Sequence, residues 1–175
     1  ILETLVEQAK QLPLTASVTY NDKTGLTYKF LAETFGYERV SLQNSGVEAV
    51  EVAILLTRRW AYQVKNIPED QATILLPYRN YFGHSIAARC ATEDPERITQ
   101  LGPLRGMNFD LIAYNDPNAL EVKIKNNPNV VAYLLEPIQG QGGVIYPDDG
   151  YLKKVREICT KYNILMIVDE IQTGL

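Results

Sequence analysis

The sequence predicts an α/β fold, a doubly wound and mostly parallel sheet covered by helices on both faces. Short runs that are apolar at nearly every position alternate with longer stretches whose apolar residues recur at helical spacing. The junctions between them carry helix-start and helix-stop residues. A strand wet on one face alternates apolar and polar residues, whereas a strand covered on both faces does not, so a run such as Val130-Val131-Ala132-Tyr133-Leu134-Leu135 belongs inside a two-sided sheet. Strands alternating with helices are joined by right-handed crossovers, which makes neighbouring strands parallel.

Ile1, Leu2, Leu5, Val6 and Ala9 have the spacing of an amphipathic helix, and Leu26, Phe30, Leu31, Thr34 and Phe35 predict a second that ends near Gly36. Residues 1–36 therefore read as a helical lead-in and 37–175 as βα units. Five strands are expected, at residues 39–43, 72–76, 110–113, 130–135 and 164–168. Between the first two, a helix from Gly46 places Val47, Val50, Ala53, Ile54, Ala61 and Val64 near one face. Asn115-Asp116-Pro117 starts a helix with proline at its first position, and Asn126-Asn127-Pro128-Asn129 is a tight stop before the fourth strand. Asp148-Asp149-Gly150 is expected to cap a helix that gathers Leu152, Val155, Ile158, Cys159 and Tyr162 before the last strand. Residues 93–108 are polar with scattered Gly and Pro, and read as a long surface excursion of the sort that carries function.

With 175 residues, 46% of them hydrophobic, the chain can build one ordinary core. A formal charge of −4 with scattered Lys and Arg gives no footprint for nucleic acid or an anionic membrane. The partner expected is a small molecule or another copy of the chain. Apolar runs are too short to cross a bilayer, and the opening residues lack the order of a signal peptide. Cys90 and Cys159 lack metal-ligand spacing, so free buried thiols in a reducing compartment are expected, and no metal site.

Four segments can carry chemistry. Asn44-Ser45-Gly46-Val47-Glu48 opens the long helix, where free N–H groups and the positive dipole end favour an anion. The Ser-x-x-Glu spacing is equally that of a capping box with no ligand. Asn80-Tyr81-Phe82-Gly83-His84-Ser85 follows a strand and sets a Tyr ring where it can stack on a planar ligand or pack on neighbouring loops. His84, the only histidine, has no metal partner in sequence and reads equally as a helix-end hydrogen-bonder. Glu136-Pro137-Ile138-Gln139-Gly140-Gln141-Gly142-Gly143 ends another strand with a carboxylate, amides and glycines, matching neither a P-loop nor a dinucleotide fingerprint. A wide solvated turn would look the same. Asp169 ends the last strand, with Gln172 just after it, where ligands bind in open α/β sheets. Together these groups suit a planar, phosphorylated ligand with a cationic ring, properties that pyridoxal 5'-phosphate has.

The blocks Asn44 to Ala49, Asn80 to Gly83, Glu136 to Gly140 and Asp169 to Leu175, in this order and spacing, resemble the class III, fold-type I aminotransferases, most closely their ornithine δ-aminotransferase branch. The similarity extends through Asn108 to Asp116 and Tyr151 to Tyr162. It implies the large, cofactor-binding domain of a pyridoxal-phosphate enzyme, incomplete at its C-terminal side, and a homodimer in the cytoplasm or mitochondrial matrix. It implies that Ser45, Gly46 and Val47 contact the phosphate, that Tyr81 stacks on the ring, that Asp169 pairs with the ring nitrogen as the catalytic carboxylate, and that Gln172 reaches the ring hydroxyl. The lysine that carries the cofactor covalently is implied to lie in a segment this chain does not contain. His84, Glu136 and Gln141 fall at substrate-facing positions. The branch generally has Arg where His84 stands and Glu where Gln141 stands. An imidazole cannot make the bidentate carboxylate clasp of a guanidinium, and an amide cannot form an ion pair.

The expected activity is transfer of the δ-amino group of ornithine to 2-oxoglutarate, with amino-acid and 2-oxo-acid substrates. Acetylornithine, 4-aminobutyrate or another ω-amino acid is the alternative donor. A non-catalytic binding or regulatory protein on the same scaffold, or a generic phosphate- or nucleotide-binding domain, is the alternative of another class.

Overall fold

The computed structural model describes residues 1–16, 18–104 and 106–174; Arg105 of the 93–108 excursion and Leu175 of the last motif lie outside the described residues. The chain divides into two units, Ile1–Leu42 and Gln43–Leu175.

The first unit holds α1 (Leu2–Gln11) and α2 (Thr24–Phe35). Asn21 sets the start of α2, its Oδ1 accepting the N–H groups of Lys23 at 2.9 Å and Thr24 at 2.8 Å. Gly36 ends it in the left-handed region at φ +70°. Neither helix has a buried residue, so their apolar stripes stay at the surface. The strand expected at 39–43 does not form. None of these residues is in a strand, and Arg39, Ser41, Leu42 and Gln43 are exposed. β-Branched and apolar residues alone do not make a strand without a partner edge.

In the second unit α3 (Gly46–Gln63), β1 (Thr73–Pro77), α4 (Ile86–Cys90), α5 (Pro95–Ile98), β2 (Phe109–Ile112), α6 (Pro117–Asn126), β3 (Val130–Leu135), α7 (Tyr151–Lys161) and β4 (Leu165–Val168) follow in chain order. The strands form one parallel sheet in the order β2-β1-β3-β4. One face packs Ile74, Leu76, Ala132 and Leu134 against Val50, Ile54 and Ala61 of α3. The other packs Leu75, Tyr133 and Leu135 against Leu120 and Ile124 of α6 and Val155 and Cys159 of α7. All six residues of β3 are buried, as a central strand covered on both sides must be. Each such aliphatic side chain contributes about 1.5–3 kcal/mol of transfer free energy.

The register of β1 on β3 shifts once, with Thr73 opposite Val130 but Ile74 opposite Ala132. Val131 is the extra residue, and it and Ala132 therefore both face α3.

Helix ends follow their caps. Asp116 Oδ1 accepts the N–H of Ala119 at 2.9 Å, with Pro117 in the first turn. The aspartates expected to cap α7 do not do so through their side chains. Gly150, at φ +82°, turns the chain into the helix instead, and the carbonyl of Asp148 accepts the Tyr151 N–H at 3.1 Å. Val64, expected on the inner face of α3, is 63% exposed at its C-cap, because the helix has turned past the sheet by then. Cys159 is buried and its thiol is pushed up to about 11 by that burial, whereas Cys90, expected buried, is only half covered at the end of the short α4. No described helix is long and apolar enough to cross a membrane.

Candidate functional site

Because β1, β3 and β4 are parallel, the segments that leave their C-terminal ends emerge at one edge of the sheet. The N-terminus of α3 reaches the same edge, since a Cβ on Gly46 would stand 3.1 Å from Cγ1 of Ile171. Four segments close a ring there. Gly83 abuts Val47 so tightly that a Cβ would come within 2.8 Å of the valine Cβ. The Tyr81 N–H donates to Glu136 Oε2 at 3.1 Å, and the Gly140 N–H donates to Glu136 Oε1 at 3.3 Å. A Cβ on Gly140 would meet Cγ of Gln172 at 3.8 Å, and Ile171 returns the ring to Gly46.

At the helix start the Ser-x-x-Glu spacing forms the capping box. Ser45 Oγ accepts the Glu48 N–H at 3.3 Å, and Glu48 Oε2 accepts the Asn44 N–H at 2.9 Å, a closed capping box. That box leaves the N–H groups of Gly46 and Val47 without a hydrogen-bond partner among the described residues. Two backbone donors and the positive end of an 18-residue helix remain for an anion.

Asp169 extends the sheet by one bond, its N–H donating to Leu135 O at 2.9 Å. Its carboxylate is half-buried, accepts the Ile171 N–H at 3.1 Å, and has no ion-pair partner among the described residues. Burial pushes its pKa up, opposed by that hydrogen bond. Glu136, 6% exposed, is pushed up likewise by burial, with the Asp169 charge adding and the Tyr81 and Gly140 N–H groups and Arg97 opposing. The site thus holds two carboxylates whose charge is only partly compensated, which favours a cationic ligand atom.

Tyr81 is fixed from several sides. Its hydroxyl lies 3.0 Å from His84 Nδ1, the imidazole meets the ring edge-on at 5.7 Å, and the Arg97 guanidinium lies over the ring at 5.1 Å from its centroid. Phe82 beside it is core, 4% exposed. Gln141 and Gln172 are both exposed on their loops. The 136–143 segment is not the solvated turn that its composition also allowed. Gln139 is fully buried, its Nε2 donating to Tyr78 O at 2.8 Å, and its backbone pairs with Ile145.

Several groups at this edge were not singled out from sequence. Asn80, 1% exposed, ties the β1 exit down by donating to Pro77 O at 2.8 Å and Ala91 O at 2.6 Å. The Tyr114 hydroxyl supports the β3 exit, 2.7 Å from Pro137 O and 3.2 Å from Glu136 O. Arg97 and Glu93 come from the polar excursion, whose sequence signalled a surface loop and nothing about where it folds.

The profile described as aminotransferase class-III matches residues 1–175. The chain is 46% identical over all 175 residues to an ornithine aminotransferase from Vigna aconitifolia, spanning 41% of that protein. It is 45% identical to the mitochondrial ornithine aminotransferase of Drosophila melanogaster, spanning 40% of it. The crystal structure of the ornithine aminotransferase from Toxoplasma gondii superposes with a TM-score of 0.95 at 47% identity, over 99% of this chain and 41% of that one. An acetylornithine aminotransferase from Elizabethkingia anophelis superposes with a TM-score of 0.79 at 38% identity, over 99% of this chain and 39% of that one.

Proposed function

The chain belongs to the class-III aminotransferases, and from that premise we propose that the protein moves the δ-amino group of ornithine to 2-oxoglutarate with pyridoxal 5'-phosphate as cofactor. The observation that carries the reading is the ring of four segments that sets a half-buried, unpaired Asp169 beside two unpartnered helix-start N–H groups and a fixed Tyr81 ring.

The donor set fits the cofactor. The N–H groups of Gly46 and Val47, with the Ser45 hydroxyl, suit its phosphate. The Tyr81 ring suits its ring plane. Asp169 suits the protonated ring nitrogen, because a cation there relieves a carboxylate that burial otherwise disfavours. Gln172, next to Gly140, suits the ring hydroxyl. When bound, the cofactor supplies an electron sink for the pair left behind as a substrate C–H bond breaks. The residues of this chain hold charge and orientation: Asp169 keeps the proton on the ring nitrogen, Tyr81 fixes the plane, and Glu136 clamps the β1 and β3 exits together through two N–H bonds.

Ornithine is favoured as donor by the names of the relatives from Vigna and Drosophila. The match to the Elizabethkingia enzyme makes acetylornithine the second reading. A homodimer in the cytoplasm or the mitochondrial matrix completes the proposal, the name of the Drosophila relative favouring mitochondria. The test is direct. The polypeptide encoded by the whole reading frame that contains this chain, loaded with pyridoxal phosphate, is expected to form glutamate from ornithine and 2-oxoglutarate, and Asp169→Asn is expected to lower kcat far more than it disturbs folding. Glutamate from acetylornithine but not ornithine would select the second donor. Glutamate from neither, nor from 4-aminobutyrate, would refute the enzymatic reading.

A further inference from the structure

Beside Tyr81 lies a polar cleft lined by Asn80, Glu93, Asp94, Arg97 and Gln141, to which the cofactor reading assigns no role. We propose that this cleft is the subsite for the zwitterionic amino-acid head of a diamino-acid donor, with Arg97 taking the carboxylate and Glu93 with Asp94 taking the ammonium. The proposal rests on the aminotransferase reading and names which end of the donor the chain recognises.

Arg97 is held but not saturated. Its Nε lies 3.0 Å from Asp94 Oδ2, its Nη1 reaches Asn80 O only at 3.5 Å, and its Nη2 has no partner among the described residues. The terminal edge of the fork, the edge that accepts a carboxylate in two parallel bonds, is thus left open. The guanidinium plane is steadied by the Tyr81 ring 5.1 Å below it. His84 has only one ring nitrogen, Nε2, left for a carboxylate, since Nδ1 lies 3.0 Å from the Tyr81 hydroxyl, and one nitrogen cannot make a two-point clasp.

Glu93 supplies the complement. Its Oε1 accepts the Arg79 N–H at 2.8 Å, while its Oε2 is a buried carboxylate oxygen with no hydrogen-bond donor. A buried acceptor left bare is costly, and an ammonium with three donors would satisfy it. The mixture of charge selects the ligand class. A plain anion drawn to Arg97 would meet two carboxylates, whereas a group bearing both signs finds a partner for each. Gln141, uncharged, lines the same cleft without biasing it.

The test uses the full-length enzyme with three donors: ornithine, 5-aminopentanoate, which lacks the ammonium of the head, and putrescine, which lacks its carboxylate. Arg97→Ala is expected to lower the ornithine-to-putrescine ratio of kcat/KM by about 10–100-fold, the loss of a charge-assisted clasp. Glu93→Gln is expected to lower the ornithine-to-5-aminopentanoate ratio by roughly tenfold on the same grounds. A binding readout separates this proposal from the enzymatic reading. Norvaline carries the head without the reacting δ-amine, and its calorimetric affinity for the cofactor-free protein should fall about tenfold or more in Arg97→Ala. If that variant does not fold, Arg97→Lys carries the test, because an ammonium cannot make the two-point clasp and must weaken norvaline. Unchanged ratios together with unchanged norvaline affinity overturn the proposal. So does a parallel fall with ornithine and putrescine, which would mean that Arg97 only steadies Tyr81. A wild-type protein that transaminates nothing yet binds norvaline through Arg97 would refute the enzymatic reading and leave the head-group site standing.

Discussion

Replacing Gly83 with alanine should strike the site without touching any polar group. Gly83 sits at φ +109°, a region that side chains rarely enter, and an added Cβ would lie 2.8 Å from both Cβ and Cγ2 of Val47. Backbone strain of this kind costs about 1–3 kcal/mol. Forcing a methyl into a filled contact costs about another 1–3 kcal/mol. The expected destabilisation is therefore about 2–6 kcal/mol, a large share of the 5–15 kcal/mol that holds an ordinary domain together. Urea unfolding measures it. The two components separate in a double-mutant cycle with Val47→Gly, which removes the opposing Cβ and leaves the alanine 3.8 Å from the nearest remaining atom of residue 47, its Cα. In that background Gly83→Ala should cost only the strain, about 1–3 kcal/mol, with a coupling of about 1–3 kcal/mol between the sites. Additivity within about 0.5 kcal/mol would show that the two loops do not bear on each other, and the ring of segments would lose one of its links.

Asp169→Asn should make the cofactor-free protein more stable at neutral pH while weakening its cofactor. The native carboxyl is raised above 3.8, so between that value and its higher native pKa the folded state binds the extra proton and stability falls as pH rises. The variant should flatten this fall in melting temperature above the ordinary carboxylate range, though not abolish it, since Glu136 is raised in the same sense. A pH profile indistinguishable from that of the wild type would refute the argument. Tyr114→Phe removes the hydroxyl that supports the carbonyls of Pro137 and Glu136, and should cost about 1–3 kcal/mol in denaturant unfolding. A neutral result would mean that water replaces the phenol without penalty.

Much of the fold was legible because both-face burial leaves a plain mark. Continuous apolar runs located β1 to β4 within a residue or so, and Asp116-Pro117 located the start of α6, where cap and chain direction are local matters. Residues 39–43 misled for the converse reason, since local composition favours a strand there but strand formation is decided by tertiary context that the five residues do not encode. The α7 cap shows the same limit on a smaller scale, with Gly150 doing by backbone what either neighbouring aspartate had the chemistry to do. Strand ends foretold the meeting of residues 45–47, 81, 136 and 169–172 because parallel strands share an exit edge. Arg97 and Glu93 were not legible. Their excursion returns to the site through tertiary contacts such as Glu93 with the Arg79 N–H and Arg97 with Tyr81, across separations that leave no periodicity in sequence.

The single added residue in β3 has a reach beyond its own position. Beyond it, odd and even positions trade sides relative to an unbroken strand, so the parity of the chain at Tyr133, Leu134 and Leu135 is set upstream, at Val131. Straightening the strand with that valine kept in the ladder would invert the remaining side chains like a misthreaded zipper, turning Tyr133 toward α3, whereas deleting it would leave Val130, Ala132 and Tyr133 in plain alternation on their present sides. What the strand cannot absorb is a slip that takes the bulge into the ladder, because every residue past it would then change sides.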